Sequence, residues 1–245
     1  MSTEHHTDAM FSGIIGQEYN VLKQICPLAA EMSRLVGEEV AACCNADSSL
    51  RTLVELGGGT GITTLAILLA NERLQVLSVD NEPTMQDQAK QSLSGWTETG
   101  RVVFCTDDAL SALKGLESGS VNIVASAYTL HNFEQGYRNQ VVKEIFRVLS
   151  PGGCFINGDR YALDDVLQHT RNTQQEMAGY FKVLIAMNRL DLLEQWVLHL
   201  ISDESEGRIM RESLALTQLE NAGFQSVQLK VRREVNALVT AIKPA

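Results

Sequence analysis

Thr52-Leu53-Val54-Glu55-Leu56-Gly57-Gly58-Gly59-Thr60-Gly61 is the stretch on which the fold turns. Its first half is apolar and reads as a buried strand that ends at an acidic residue. Its second half has glycine at every second place, where the backbone must take dihedrals that a β-carbon forbids and come close to a ligand. Ile62 to Leu69 follows as an apolar helix packed on a sheet. The unit is strand, glycine turn, helix.

Working outward, the pyrophosphate-binding turn G-x-G-x-x-G would need its third glycine at position 62, where Ile62 stands, so the dinucleotide version fails. The next strand, Leu74 to Val79, ends at Asp80, roughly 20 residues beyond the loop. At that distance a carboxylate at a strand tip is suited to accept from both hydroxyls of a ribose. Asn81-Glu82-Pro83 opens another helix, with proline suited to its first turn. A third strand, Arg101 to Thr106, leads into Asp107-Asp108-Ala109, and a fourth, Val121 to Ser126, into Ala127-Tyr128-Thr129-Leu130-His131-Asn132-Phe133. That loop lies at the carboxyl end of a central strand, where α/β sheets bind ligands. A helix from Gly136 to Leu149 stops at Ser150-Pro151-Gly152-Gly153, the fifth strand is Cys154 to Asn157, and Gly158-Asp159-Arg160-Tyr161 emerges beside the crevice. Asp164 to Ser202 then carries apolar residues at helical spacing, Tyr180, Leu184 and Met187, then Leu193, Trp196 and Leu200. An insertion of that length at the ligand end of a sheet reads as a helical cap over an acceptor pocket, with a homodimer interface as the rival. A helix from Glu212 to Ala222, stopped by Gly223, and strands at Val227 to Val231 and Ala237 to Ile242 close the chain.

These motifs in this order, Glu55-x-Gly57-x-Gly59-x-Gly61, Asp80, Asp108-Ala109, the Arg147-Val148-Leu149-Ser150-Pro151-Gly152-Gly153 turn and Leu219-Glu220-Asn221-Ala222-Gly223-Phe224, resemble the class I S-adenosylmethionine-dependent methyltransferases. The resemblance implies a Rossmann-like, doubly wound, seven-stranded and mostly parallel sheet with an antiparallel last strand. One domain over residues 1–245 is expected: an N-terminal helical cover at 12–46, a cofactor core at 50–160, the cap at 164–202 and a C-terminal helix and hairpin at 212–245. It implies S-adenosylmethionine as cofactor and S-adenosylhomocysteine as product. Glu55, Gly57, Gly59, Gly61, Asp80, Asn81, Met85, Asp108, Ala109 and Ser126 are the matching cofactor candidates, with Met85 against adenine and Asp108, or its neighbour Asp107, at the adenine amino group. The Leu130-His131-Asn132 stretch is similar to that of small-molecule members, and the Asn-Pro-Pro-Tyr type of the nucleic-acid and protein amide enzymes is lacking.

His131 is the catalytic candidate, an imidazole that titrates near neutral pH and is suited to take a proton from a nucleophile. Tyr19, Asp159, Arg160 and Tyr161 are the substrate-side candidates. The acceptor expected is a small molecule, methylated on oxygen, nitrogen, sulfur or carbon. Two alternatives stay open: a carboxy-S-adenosylmethionine synthase-like enzyme, for which Arg208 or Arg211 would hold the added carboxylate, and a non-catalytic cofactor-binding module.

The net charge of −10 argues against a surface that grips nucleic acid. Cys26, Cys43, Cys44, Cys105 and Cys154 are odd in number and lack C-x-x-C spacing, so neither a disulfide framework nor a metal site is expected. No apolar run reaches the ~18 residues of a membrane span, and the first ten residues lack the apolar core of a secretory signal. A cytoplasmic protein is the expectation.

Overall fold

The computed structural model describes residues 24, 27–49 and 51–245; Tyr19 and most of the expected helical cover ahead of Pro27 lie outside the described residues. In chain order the elements are α1 (Pro27–Ala46), β1 (Thr52–Leu56), α2 (Ile62–Ala70), β2 (Gln75–Val79), α3 (Pro83–Ser92), α4 (Ser94–Glu98), β3 (Val102–Cys105), α5 (Ala109–Lys114) and β4 (Val121–Ala127). After a 3₁₀ turn at Leu130–Asn132 come α6 (Gln135–Val148), β5 (Leu149–Arg160), α7 (Val166–Ala186), α8 (Leu190–Asp203), α9 (Glu212–Ala222), β6 (Gln225–Arg233) and β7 (Asn236–Ile242).

The strands form one seven-stranded sheet in the order β3-β2-β1-β4-β5-β7-β6. β1 to β5 pair in parallel, and β7 runs antiparallel between β5 and β6. The order reverses between β1 and β4, so the crevice outside their carboxyl ends is where a ligand belongs.

Because successive strand residues face opposite ways, β1 sends Val54 and Leu56 into the layer formed with α5, α6 and α9. Leu53 goes to the opposite layer, with Val36 and Val40 of α1 and Leu65 and Leu68 of α2. Glu55 shares the face of Leu53, and its carboxylate accepts from Thr64 of α2. A sheet covered on both sides needs strands with little polar alternation, as β1 and β4 show.

One expected boundary moves far. The fifth strand was expected to stop at Asn157, leaving 158–161 as loop. Instead β5 continues to Arg160, because β7 pairs with it from Cys154↔Ile242 to Arg160↔Asn236 and satisfies the extra backbone groups. The expected cap is a helix pair, α7 and α8, with its own small core of Tyr180, Leu184, Leu193 and Leu200.

Candidate active site

The glycine loop turns sharply off β1 with φ of 74° at Gly57, 52° at Gly59 and 92° at Gly61. At Gly57 a β-carbon would fall 1.8 Å from Thr129 Oγ1, whereas at Gly59 it would meet nothing within 4 Å. The first glycine is thus required by packing and the second leaves open space above the loop. Asp80, at the tip of β2, ties the loop down: Oδ2 accepts from the Gly59 N–H at 2.7 Å and Oδ1 from the Glu82 N–H at 2.8 Å.

Gly58, Gly59 and Thr60 open into a cavity of about 580 Å³ whose other walls come from Met85, the start of α1, Tyr128, His131, Arg160 and the inner face of α7 and α8. One cavity therefore joins the glycine loop to the polar groups beneath the cap.

Those groups are organised by Asp159. Its Oδ2 accepts from the Leu130 N–H at 2.9 Å, and its Oδ1 lies 2.5 Å from Nδ1 of His131. Burial works to raise the Asp159 carboxyl, but the His131 imidazole and the hydrogen bonds it accepts outweigh this and hold it below its usual range. It is a carboxylate and can only accept, so Nδ1 of His131 carries a proton toward it. Nε2 faces Asp203 of α8, whose Oδ2 is 3.6 Å away. The preceding Tyr128 has a left-handed backbone, φ 50°, and its hydroxyl donates to Asn236 at 2.6 Å. A non-glycine residue held there is the kind of local strain that collects at working sites.

Arg160, next along β5, faces the cap. Its Nη1 donates to both carboxylate oxygens of Glu176 at 2.7 and 2.8 Å, and Nη2 to Glu204 at 3.2 Å. Burial opposes its charge, yet Glu176 and Asp203 raise its pKa above the ordinary value. Burial raises the Asp203 carboxyl against the pull of His131, His199 and Arg160.

The other expected residues are placed as follows. Met85 is exposed on the cavity wall, and Asn81 is exposed beside Asp80. Asp108 caps α5, accepting from the Leu110 and Ser111 N–H groups, from Ser111 Oγ and from the Tyr137 hydroxyl. The Ser111 and Tyr137 hydroxyls pull its pKa down to about 2. Asp107 is exposed and Ala109 buried. Ser126 is fully buried, with no partner for its hydroxyl among the described residues. Glu55 is fully buried beneath the loop, and burial pushes its pKa up to about 7 against the pull of Thr64 and Ser78. Tyr161 is buried in the core, where its hydroxyl accepts from Asn157 at 2.8 Å.

Glu176, His199 and Asp203 were not singled out in the sequence. The spacing of His199 and Asp203, one helical turn apart on α8, was the available signal.

The sheet order, the glycine loop and the acidic strand tip define a Rossmann-like nucleoside-cofactor protein. The chain is similar to the class I S-adenosylmethionine-dependent methyltransferases. Residues 53–153 match the family described as "Methyltransferase domain". Among curated relatives, a carboxy-S-adenosyl-L-methionine synthase of Shewanella loihica is 21% identical over 77% of this chain and 78% of its own length. One of Hydrogenovibrio crunogenus is 25% identical over 85% and 78%. Among solved structures, an O-methyltransferase family protein from Burkholderia thailandensis superposes with TM-score 0.65 at 18% identity, over 97% of this chain and 62% of that one. The structure "PigF with SAH" gives TM-score 0.56 at 17% identity, over 92% and 61%. The chain thus spans somewhat under two thirds of the length of those two neighbours.

The residues fit S-adenosylmethionine, the family's cofactor. Gly59 leaves a cradle that a side chain would fill, and the cavity begins there. No described helix is long and apolar enough to cross a membrane.

Proposed function

We propose that the protein transfers the methyl group of S-adenosylmethionine to a small-molecule acceptor held between the glycine loop and the α7–α8 cap. The observation that carries this is the single cavity running from Gly59 to His131. When bound, the cofactor supplies a methyl made electrophilic by its sulfonium.

The chain's part is to bind, orient and move one proton. Asp80 holds the ribose, Gly57, Gly59 and Gly61 shape the loop over which the cofactor lies, and Met85 covers the adenine. Asn81 is a further cofactor contact beside Asp80, and buried Ala109 and Ser126 support that end from beneath. Asp108 spends its oxygens on the α5 cap, which favours exposed Asp107 for the adenine amino group. Glu55 acts from beneath, fixing the loop through Ser78 and Thr64. Toward the acceptor, Asp159 keeps the proton on Nδ1 of His131, so Nε2 takes the proton that the acceptor's nucleophile gives up. Arg160 positions the cap through Glu176, and Tyr161 backs the site from the core.

The relatives' names raise a second reading, in which the cofactor itself is carboxylated. That reading needs a cation for the added carboxylate. Arg208 instead donates to the Asn132 carbonyl at 2.9 Å and Arg211 to the Leu163 carbonyl at 2.6 Å. Arg160, the one described Lys or Arg on the cavity wall, is already held by two glutamates. The charge around the cavity supports methyl transfer. It also weighs against a purely cofactor-binding module, which has no use for a buried His–Asp pair beside the ligand.

We place the protein in the cytoplasm, its four described cysteines all free thiols. Exposed Phe181, Ile185, Leu198 and Ile201 of the cap support a homodimer contact, which sedimentation of the purified chain tests.

The deciding experiment is calorimetric titration with S-adenosylmethionine and S-adenosylhomocysteine, followed by a screen of small phenols, amines and thiols for release of S-adenosylhomocysteine. Binding and release on at least one acceptor are expected. Binding without release on any acceptor, with a carboxylated cofactor co-purifying, would turn the reading to the rival.

A further inference from the structure

Three side chains on the acceptor side of the cavity converge in a way that methyl transfer alone does not call for. Nε2 of His131 is 3.6 Å from Asp203 Oδ2, and Nε2 of His199 is 3.5 Å from the same oxygen. All three donor atoms lie within 4.8 Å of one another. A tetrahedral site with bonds of about 2.0–2.1 Å spaces its donors roughly 3.3 Å apart, so two of the three edges are already near that length. We propose that His131, His199 and Asp203 bind one divalent first-row transition-metal ion, open on the cavity side to an oxygen of the acceptor.

Three further observations support this. First, His131 donates its Nδ1 proton to Asp159, the outer-shell carboxylate that metal-bound imidazoles require to fix ring and tautomer. Second, Asp203 is 7% exposed and its Oδ1 has no partner among the described residues. A buried carboxylate left so calls for a cation. Third, the guanidinium of Arg160 is shared with Glu176 and Glu204 and its Nε comes only to 3.9 Å from Asp203, so Arg160 does not satisfy that carboxylate by itself. Two imidazoles and one carboxylate suit zinc, cobalt, nickel or iron rather than magnesium or calcium, which prefer oxygen alone.

The donor positions depend on β4, β5 and α8 and on no property of the cofactor end. Only the acceptor oxygen as fourth ligand rests on the proposed methyl transfer. One imidazole nitrogen cannot take a proton and hold a cation at once, so base and ligand are two states of the same site.

The test is cobalt titration of the full chain, followed by visible absorption and by equilibrium dialysis, with S-adenosylmethionine calorimetry on the same samples. Expected are one cobalt per chain with d–d bands, displacement by zinc but not by magnesium, and a loss of affinity of at least about tenfold in His199→Ala and in Asp203→Asn. Asp159→Asn should weaken cobalt about 10–100-fold through its hold on His131. The pair His5→Ala and His6→Ala should leave the bands unchanged. Absence of bands, or bands lost with His5 and His6 but kept in His199→Ala, overturns the site. His199→Ala lies at an exposed position, so folding is not at stake, and cofactor affinity in that variant reports separately on the methyltransferase reading.

Discussion

Glu55 shows how a single residue is placed by strand alternation and then changed by where it lands. Burial keeps it from charging until about pH 7, while Thr64 and Ser78 both reach its Oε2 and Oε1 has no partner among the described residues. In the unfolded chain it titrates near 4.5. A raised folded value means that its stabilisation is complete below pH 4.5 and is lost as the pH rises through about 7. The loss amounts to about 3 kcal/mol. Glu55→Gln stays neutral and keeps an oxygen for both hydroxyls. In urea unfolding it should match the parent at acid pH and exceed it above pH 7 by up to that amount. Equal pH dependence in the two proteins would show that Glu55 is already charged in the fold.

At the scale of elements, the cap stands apart from the sheet. Tyr180, Leu184, Leu193 and Leu200 pack among themselves, separate from the two layers that cover the sheet. It is joined to β5 by the ion pairs of Arg160 with Glu176 and Glu204. Leu184→Ala removes a fully buried side chain, a change that costs about 2–5 kcal/mol where it is felt. Because the cap has its own core, the loss should appear as faster hydrogen exchange in α7 and α8 and a higher acceptor KM, with exchange in β1 and β4 unchanged. Uniformly faster exchange would mean that cap and sheet unfold as one. This division was legible in advance: the spacing of Tyr180, Leu184, Leu193 and Leu200 announced the helices, and the glycine loop with Asp80 announced the first half of the sheet. The extension of β5 to Arg160 was not, since it is supplied by β7, whose register no local pattern encodes. The His131–Asp159 pair depends on that extension, and the approach of Asp203 depends on how α8 folds back. Residues that meet only through tertiary packing leave little local trace; the i, i+4 spacing of His199 and Asp203 is what remains of it.

Across the whole molecule, the cavity has two ends built from different parts of the chain. The end proposed for the cofactor comes from the loop after β1 and Met85 of α3, the end proposed for the acceptor from the β4 and β5 tips and the cap, and they meet at the point where the strand order reverses. Such a layout predicts that binding and transfer separate by mutation. Asp80→Ala removes a carboxylate that sits at the cofactor end, and S-adenosylmethionine affinity should fall by about 1–3 kcal/mol, the range for a charged hydrogen-bonding group. His131→Ala acts at the other end. It should lower kcat by about 10²–10⁴-fold, the range for a lost general acid or base, and leave cofactor affinity unchanged by calorimetry. The first variant should recover rate when cofactor is raised to saturation, and the second should not. If His131→Ala weakens the cofactor as much as Asp80→Ala does, the two ends are one binding site and the acceptor must lie elsewhere. If neither variant changes affinity or rate, the cavity is not where the chemistry occurs.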